Sequence, residues 1–590
     1  MKNWLFNRIF VAVVLLCAAA SGFAQQTVDW DGLWVAEHVY GPHVDGSIQL
    51  VLEEDQWIAR VRGEYIPVTV TPTSNGEVAW HFSIPDYGQF DGWQTSADDT
   101  IVGHWIQPAG QIANYPIATP VILAAKHSNQ FVGLLKPYID RVSLNIPLRQ
   151  SDTKDVYASF LRNPERNFGV FFRIDSVVAD EERLHFRNPD GAVMTSAQIL
   201  VPGERFALVF GRTGETLEFS RRGRDQAPGF FPRRFPVELT SLPVPASLDD
   251  GWETAEPMSA GLDEDVLLQL VNELAAFEPE KLQQPYVHAI LVAHKGTLVL
   301  DEYFHGFHAD ATHDSRSAGK SLTSALLGMA LFEQSLESID QPVYPLFGGV
   351  DQYKNESDAK EGLSLRHLVT MTSGLDCDDG DYDSPGNEDV MQSQSAEPDW
   401  YRYALNLALV RQPGSVGIYC TAGINLIGGA IEAATGEPLI HFFKTRFADP
   451  LGIAHYEVNL MPTLSTYMGG GIRLRPRDFL KLGQLYLNGG VWNGERLLSE
   501  AYVQDSMRAH SSINEQDDYG FAWWRKTYSI DGVDIDTFYA SGNGGQLLFI
   551  VPTHDLVVLI QAGNYSDGST RNAFRDRFMT DFFLRAVIRK

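Results

Sequence analysis

Cysteine is scarce in this chain: three among 590 residues, at positions 17, 377 and 420. That is too few for a disulfide scaffold or a zinc site built from thiolates, and an odd count leaves one thiol over. Cations are also short, 46 Lys and Arg against 75 Asp and Glu, for a net charge of −29. Such a balance argues against nucleic acid as a partner, because phosphate binding needs clustered Lys and Arg. No stretch beyond the first residues approaches the roughly 18 consecutive apolar residues of a membrane span, so no stable membrane insertion is expected. There is no His-Glu-x-x-His, no Gly-x-Ser-x-Gly and no internal repeat. Those absences remove zinc peptidases, the nucleophile elbow of α/β-hydrolases and solenoids. Nothing in the sequence calls for a cofactor or a metal.

What is present is enough apolar surface for large cores, 44% hydrophobic with 21% charged residues. At about 150 residues per domain the length suggests several domains. Lys2 and Arg8 precede the apolar run Ile9 to Ala20, followed by Ser21, Gly22, Phe23 and Ala24. This charged, apolar, small-residue order predicts a secretory signal over 1–24, cleaved near Ala24, and hence a bacterial periplasmic or secreted protein. Leu16 before Cys17 argues against a lipid anchor, which would have a small residue there.

Two textures follow. Residues 27–245 alternate apolar and polar in short runs, such as Ser47 to Leu52, Trp57 to Arg62 and Arg205 to Phe210, punctuated by Gly, Asp and Asn. This predicts an all-β barrel or sandwich, closed so that no strand edge is left bare. Its opening Trp30-Asp31-Gly32-Leu33-Trp34 resembles the start of lipocalin-like barrels. A Pro-rich stretch from Pro228 to Pro257 predicts a linker, placed at 246–260. From 261 to 590 an amphipathic helix (Asp263 to Ala276) and two strands around a Lys295-Gly296 turn are followed by longer helices, and strands return at Phe538 to Tyr565. That texture predicts one α/β domain. Acidity concentrates there: residues 25–245 hold 27 acidic and 19 basic side chains, residues 246–590 hold 48 and 25.

The sharpest chemical feature is Ser317-Ala318-Gly319-Lys320, opening an apolar helix. Residues i and i+3 share a helix face, so Lys320 lies one turn along from the Ser317 hydroxyl. Serine needs an adjacent base or a tuned partner to become a nucleophile, and a buried lysine whose pKa falls could supply one. Alone, Ser-x-x-Lys equally fits a capping serine beside a surface lysine. The surrounding motifs decide. Residues 261–590 resemble the serine β-lactamase and penicillin-binding superfamily, in its class C β-lactamase and esterase branch. His313 to Ser324 is similar to the nucleophile segment. Leu368-Val369-Thr370-Met371-Thr372-Ser373-Gly374-Leu375 is similar to the "LLTMTSGL" segment. Tyr419-Cys420-Thr421 stands where the family has Tyr-x-Asn, and Ala540-Ser541-Gly542 where it has Lys-Thr-Gly.

The resemblance implies Ser317 as nucleophile, Lys320 as its partner and Tyr419 as the proton carrier, with the backbone N–H groups of Ser317 and Asn543 as oxyanion hole. It places Thr421, Asn425, Ser541 and Gly542 at the substrate. Two departures matter: Thr421 replaces the asparagine, and Ala540 replaces the cation. In β-lactamases those positions hold the side-chain amide and the carboxylate of the lactam, so an ester or amide of a small uncharged or cationic molecule becomes the expected substrate. A D-Ala-D-Ala-type peptidase, a β-lactamase and a ligand-binding pseudoenzyme are the alternatives. Both family segments that carry Cys377 and Cys420 border one cleft, which implies a Cys377–Cys420 disulfide in an oxidising compartment; two separate buried thiols are the alternative.

Other features read more plainly. Seven acids between Asp376 and Asp389 lack the spacing of a calcium loop and fit a solvated loop beside the cleft. Gly469-Gly470-Gly471 lacks the Lys-Ser/Thr of a phosphate loop. Arg221, Arg222, Arg224, Arg233 and Arg234 form a basic cluster that is either a solvated loop or a docking patch for the acidic domain.

Overall fold

The structure is a computed structural model that describes residues 28–587 except 42, 74–75, 96–98 and 234–237. The predicted secretory signal and Arg234 lie outside the described residues. Among the described residues no helix is long and apolar enough to cross a membrane.

The N-terminal stretch is β throughout, and it forms two bodies where one domain was expected. The first is a closed eight-stranded barrel. Its first strand, Gly32–Val39, pairs antiparallel with Arg141–Gln150 on one side and with Thr216–Arg222 on the other, and five further strands complete the circle. Alternate residues fill the interior: Trp34, Leu148, Phe186, Phe206 and Phe219 are buried there, Phe206 stacked on Phe219 at 4.9 Å. Eight strands enclose a space that either side chains or one small ligand can fill; here side chains fill it. The second body is inserted between the first and second barrel strands. Nine strands between residues 46 and 135 form an antiparallel sheet, with Ile48, Leu50, Phe82, Phe90 and Trp105 buried as its core.

This inserted sheet does not stop at the domain border. Its strand Ile117–His127 pairs with Tyr456–Asn459 (Val458 opposite Ala118), which pairs with Ile472–Leu474, which in turn pairs with His313–Asp314. A continuous sheet therefore runs from the N-terminal region to the residues just before Ser317.

The C-terminal part is an α/β domain, as its texture predicts. A nine-stranded sheet is built on the neighbours Thr297–Tyr303, Val287–His294, Leu556–Ala562, Gln546–Val551, Val533–Gly542 and Trp524–Ile530. Lys295 and Gly296 both take positive φ (52° and 79°) in the two-residue turn between the first two strands, the geometry that twists with a hairpin. One face is covered by Glu264–Ala275 and the Phe574, Phe578 and Phe582 segment, the other by Lys320–Phe332, Thr421–Thr435 and Pro476–Leu487. Lys320–Phe332 is apolar on nearly every side and buried accordingly. The connecting stretch is packed: Trp252 is buried with Nε1 donating to the Arg477 carbonyl (3.1 Å), and Arg477 pairs with Asp250 at 2.7 Å.

Candidate active site

Ser317 sits in a tight turn, Arg316–Gly319, between the edge strand His313–Asp314 and the helix Lys320–Phe332. Arg316 adopts φ +48°, the left-handed region that a residue with a Cβ enters at a cost. Asp314 holds it there. One carboxylate oxygen accepts the Arg316 backbone N–H (3.0 Å), and the other faces three guanidiniums: Arg316 Nε at 3.1 Å, Arg473 Nη2 at 3.5 Å and Arg166 Nη1 at 3.8 Å. Burial alone would raise the Asp314 pKa; Arg316, Arg473 and Arg166 override it and hold the carboxyl well below its ordinary range. Two glycines close the turn. A Cβ on Gly470 would lie 2.4 Å from the Arg316 carbonyl oxygen, and one on Gly542 would lie 2.5 Å from that of Ser315.

Lys320, 1% exposed, donates from Nζ to Ser317 Oγ (2.9 Å) and to the Gly469 carbonyl (2.6 Å), with the Tyr419 ring centroid 5.1 Å away. Burial works to lower its pKa, but Tyr419, Glu388 and Asp379 outweigh burial and the net direction is upward. This corrects the expectation of a lysine whose pKa falls on burial: the net direction for Lys320 is upward. Tyr419 is half-buried, its ring stacked on Trp524 at 5.9 Å.

The disulfide Cys377–Cys420 is present, tying the acidic loop to the Tyr419 segment. The loop is not wholly solvated. Asp379 donates its backbone N–H to the Tyr419 carbonyl (3.0 Å), and its carboxylate accepts from Thr421 N–H (2.8 Å) and Oγ1 (2.5 Å). Burial first, then Glu388, push the Asp379 pKa up to about 6 against the pull of Lys320. Glu388 accepts from Tyr467 Oη, from Gln392 Nε2 (3.2 Å) and from Thr421 Oγ1 (3.5 Å). Among the described residues no group of three or more His, Cys, Asp or Glu is arranged to hold a metal ion.

A serine, a lysine and a tyrosine brought together are what acyl transfer needs, and residues 280–577, just over half of the chain, match the family model "Beta-lactamase". The chain belongs to the Beta-lactamase family. It is 26% identical over 322 residues to a 6-aminohexanoate-dimer hydrolase of Paenarthrobacter ureafaciens, covering 50% of this chain and 76% of that protein. Among solved structures it is similar to EstCE1, a hydrolase with promiscuous acyltransferase activity, at 19% identity and a TM-score of 0.41, over 52% of this chain and 96% of that one. A family VIII carboxylesterase is similar at 14% identity and a TM-score of 0.42, over 55% and 95%.

Within this Beta-lactamase-family hydrolase the residues proposed from sequence fall into two groups. Ser317, Lys320 and Tyr419 come together, and Gly542, with Asn543 next to it, lies against the Ser317 turn. Ser541 is half-buried on the same strand. Thr421 and Asn425 are corrections. Both are fully buried, Thr421 bound to Asp379 and Asn425 accepting the Met468 N–H (2.9 Å), so they support neighbours and offer no surface to a substrate. Sequence reasoning missed Asp379, Glu388, Asp314 and the Gly469-Gly470-Gly471 run. The glycines, three in succession before a short strand, and the run of seven acids that contains Asp379 and Glu388 were the signals, but neither was given a role at Ser317. Of the basic cluster, Arg224 pairs with Glu278 and Arg233 with Glu302 of the α/β domain, while Arg221 pairs within the barrel with Asp29.

Proposed function

We propose that this protein is an exported serine hydrolase that cleaves an ester or amide of a small uncharged or cationic molecule through an acyl-enzyme on Ser317. The observation that carries this reading is the 2.9 Å approach of Lys320 Nζ to Ser317 Oγ beside the Tyr419 ring. Tyr419, acting as a phenolate stabilised by the Lys320 ammonium, takes the hydroxyl proton as Oγ attacks the carbonyl carbon and becomes a phenol. The N–H groups of Ser317 and Asn543 receive the developing oxyanion. The alcohol or amine leaves with the proton returned by Tyr419; water, activated the same way, then releases the acid. Ala540, buried with its methyl in the core, offers no cation to grip a substrate carboxylate, and the Arg316 guanidinium is committed to Asp314. That favours an uncharged or cationic substrate over a penicillin or a D-Ala-D-Ala peptide. The relative named as a 6-aminohexanoate-dimer hydrolase keeps an amide within range.

A fluorophosphonate probe tests the assignment. Ser317→Ala is expected to abolish labelling, and labelling that survives this change overturns it. Turnover of p-nitrophenyl esters or small amides without nitrocefin turnover supports the substrate class, whereas efficient nitrocefin turnover would move the protein to the β-lactamases. Export is checked by the N-terminus of the mature protein, expected at Gln25.

A further inference from the structure

The N-terminal β region reaches the surroundings of Ser317 by three separate routes. The first is the shared sheet. Ile117–His127 pairs with Tyr456–Asn459, and the Asn459 N–H donates to the Gly471 carbonyl (2.7 Å), which fixes the glycine run whose Gly469 carbonyl holds Lys320.

The second route is a barrel loop. Arg166 is set by its backbone N–H on Asn163 Oδ1 (2.8 Å) and places its guanidinium against Asp314. The next residue, Asn167, donates from Nδ2 to the Tyr565 carbonyl (2.9 Å), and the Tyr565 ring lies under the Arg316 guanidinium at 4.9 Å. Both groups that grip Arg316, the carboxylate and the ring, are thus themselves held from the barrel.

The third route comes from the inserted sheet. The loop before Ile117–His127 is pinned by Asp140, which accepts the N–H groups of Ile112 (2.9 Å) and Ala113 (3.0 Å). It carries Tyr115, whose hydroxyl donates to Gln392 Oε1 (2.5 Å) while its ring meets Trp400 edge-on at 5.7 Å. With its oxygen engaged, the Gln392 amide presents Nε2 to Glu388 (3.2 Å), one of the anions that face Lys320.

We propose that the N-terminal β region is a working part of the catalytic site, with Arg166 as the positioning residue of the Ser317 turn and Tyr115 as the positioning residue of Glu388 opposite Lys320. This rests on the reading of Ser317 as nucleophile. Neither residue touches the reacting atoms. Each acts through one intermediate, Asp314 for Arg166 and Gln392 for Tyr115, so each should change the rate of attack on Ser317 chemistry without changing how a small probe binds.

The test uses the full-length protein and the saturable reaction with a small fluorophosphonate, read as a maximal rate and a half-saturating concentration, with thermal melting alongside to certify folding. Arg166→Gln is expected to lower the maximal rate about 10–100-fold with the half-saturating concentration within about twofold, and Arg166→Lys, which returns a cation to Asp314, to recover much of it. Tyr115→Phe is expected to lower the maximal rate about fivefold, and to add nothing on top of Gln392→Ala, because two steps of one relay are not additive. Folded Arg166→Gln and Tyr115→Phe proteins that label as fast as the parent would overturn the proposal, as would full additivity of Tyr115→Phe with Gln392→Ala together with failure of Arg166→Lys to rescue. Labelling that persists in Ser317→Ala would instead overturn the nucleophile assignment on which the proposal rests.

Discussion

On one side of Ser317 three guanidiniums, Arg166, Arg316 and Arg473, converge on the single carboxylate of Asp314; on the other, the single ammonium of Lys320 faces Asp379, Glu388 and Tyr419. Each cluster has a buried centre, Asp314 or Lys320, ringed by half-buried partners, and the two are opposite in stoichiometry; their roles differ for that reason. Surplus arginines around one acid cannot be relieved by losing a proton, since guanidinium stays charged, so that cluster is fixed at every working pH and serves to hold a left-handed backbone. Surplus acids around one lysine can be relieved by protonation, and Asp379, raised to about 6, is the group that does so. One flank is scaffold and the other is adjustable.

The comparison can be broken in four ways, in descending order of effect. Lys320→Met removes the cation that faces Asp379 and Glu388; the fluorophosphonate labelling rate is expected to fall about 10³-fold, within the range a general acid–base partner supplies. Asp314→Asn removes the carboxylate on which the three guanidiniums converge. Denaturant unfolding should then show a loss of about 3–5 kcal/mol, the cost of breaking a buried charge cluster on one side. Asp379→Asn should lower labelling only about tenfold, but change its pH dependence. In the parent the rate falls with acidification through about pH 6, where the Asp379 carboxylate facing Lys320 takes up its proton; in the variant that inflection is absent. A scaffold residue substituted the same way would leave the inflection in place. Arg224→Gln, a pair with the exposed Glu278 that belongs to neither flank, should cost under about 1 kcal/mol, and that cost should vanish in high salt.

The proposed nucleophile and its partners were legible as candidates because acyl transfer needs fixed residue types at short spacing: Ser317 and Lys320 lie three apart, and Tyr419 is marked by its place in the motif order. The scaffold flank was not legible. Asp314 and Arg316 sit inside the recognised segment, but Arg473 comes from a strand more than 150 residues on and Arg166 from another domain, and only folding brings them to one oxygen. The direction of the Lys320 shift failed for the same reason, since burial can be guessed from an apolar helix whereas counter-charges on a distant loop cannot. Acids in a run of seven look alike, and nothing in their spacing separates inward Asp379 and Glu388 from outward Asp381 and Asp383. Alternation identified strands from 27 to 245, yet period two says nothing of partners, so the insertion of one sheet between the first two strands of a barrel was invisible.

Sheet register also sets an order in time. Ala118 and Val458 are opposite one another across the shared sheet although about 340 residues separate them along the chain. Contacts of such separation carry the largest loop-closure entropy and form late. Apart from the closures of Gly32–Val39 onto Arg141–Gln150 and Thr216–Arg222, the barrel strands find neighbours within a few tens of residues, and the Lys320–Phe332 helix is local, so these can form while that joint is still open. The Gly469 carbonyl is delivered by the joint, so on refolding the strands and helices are expected to return before the seat of Lys320.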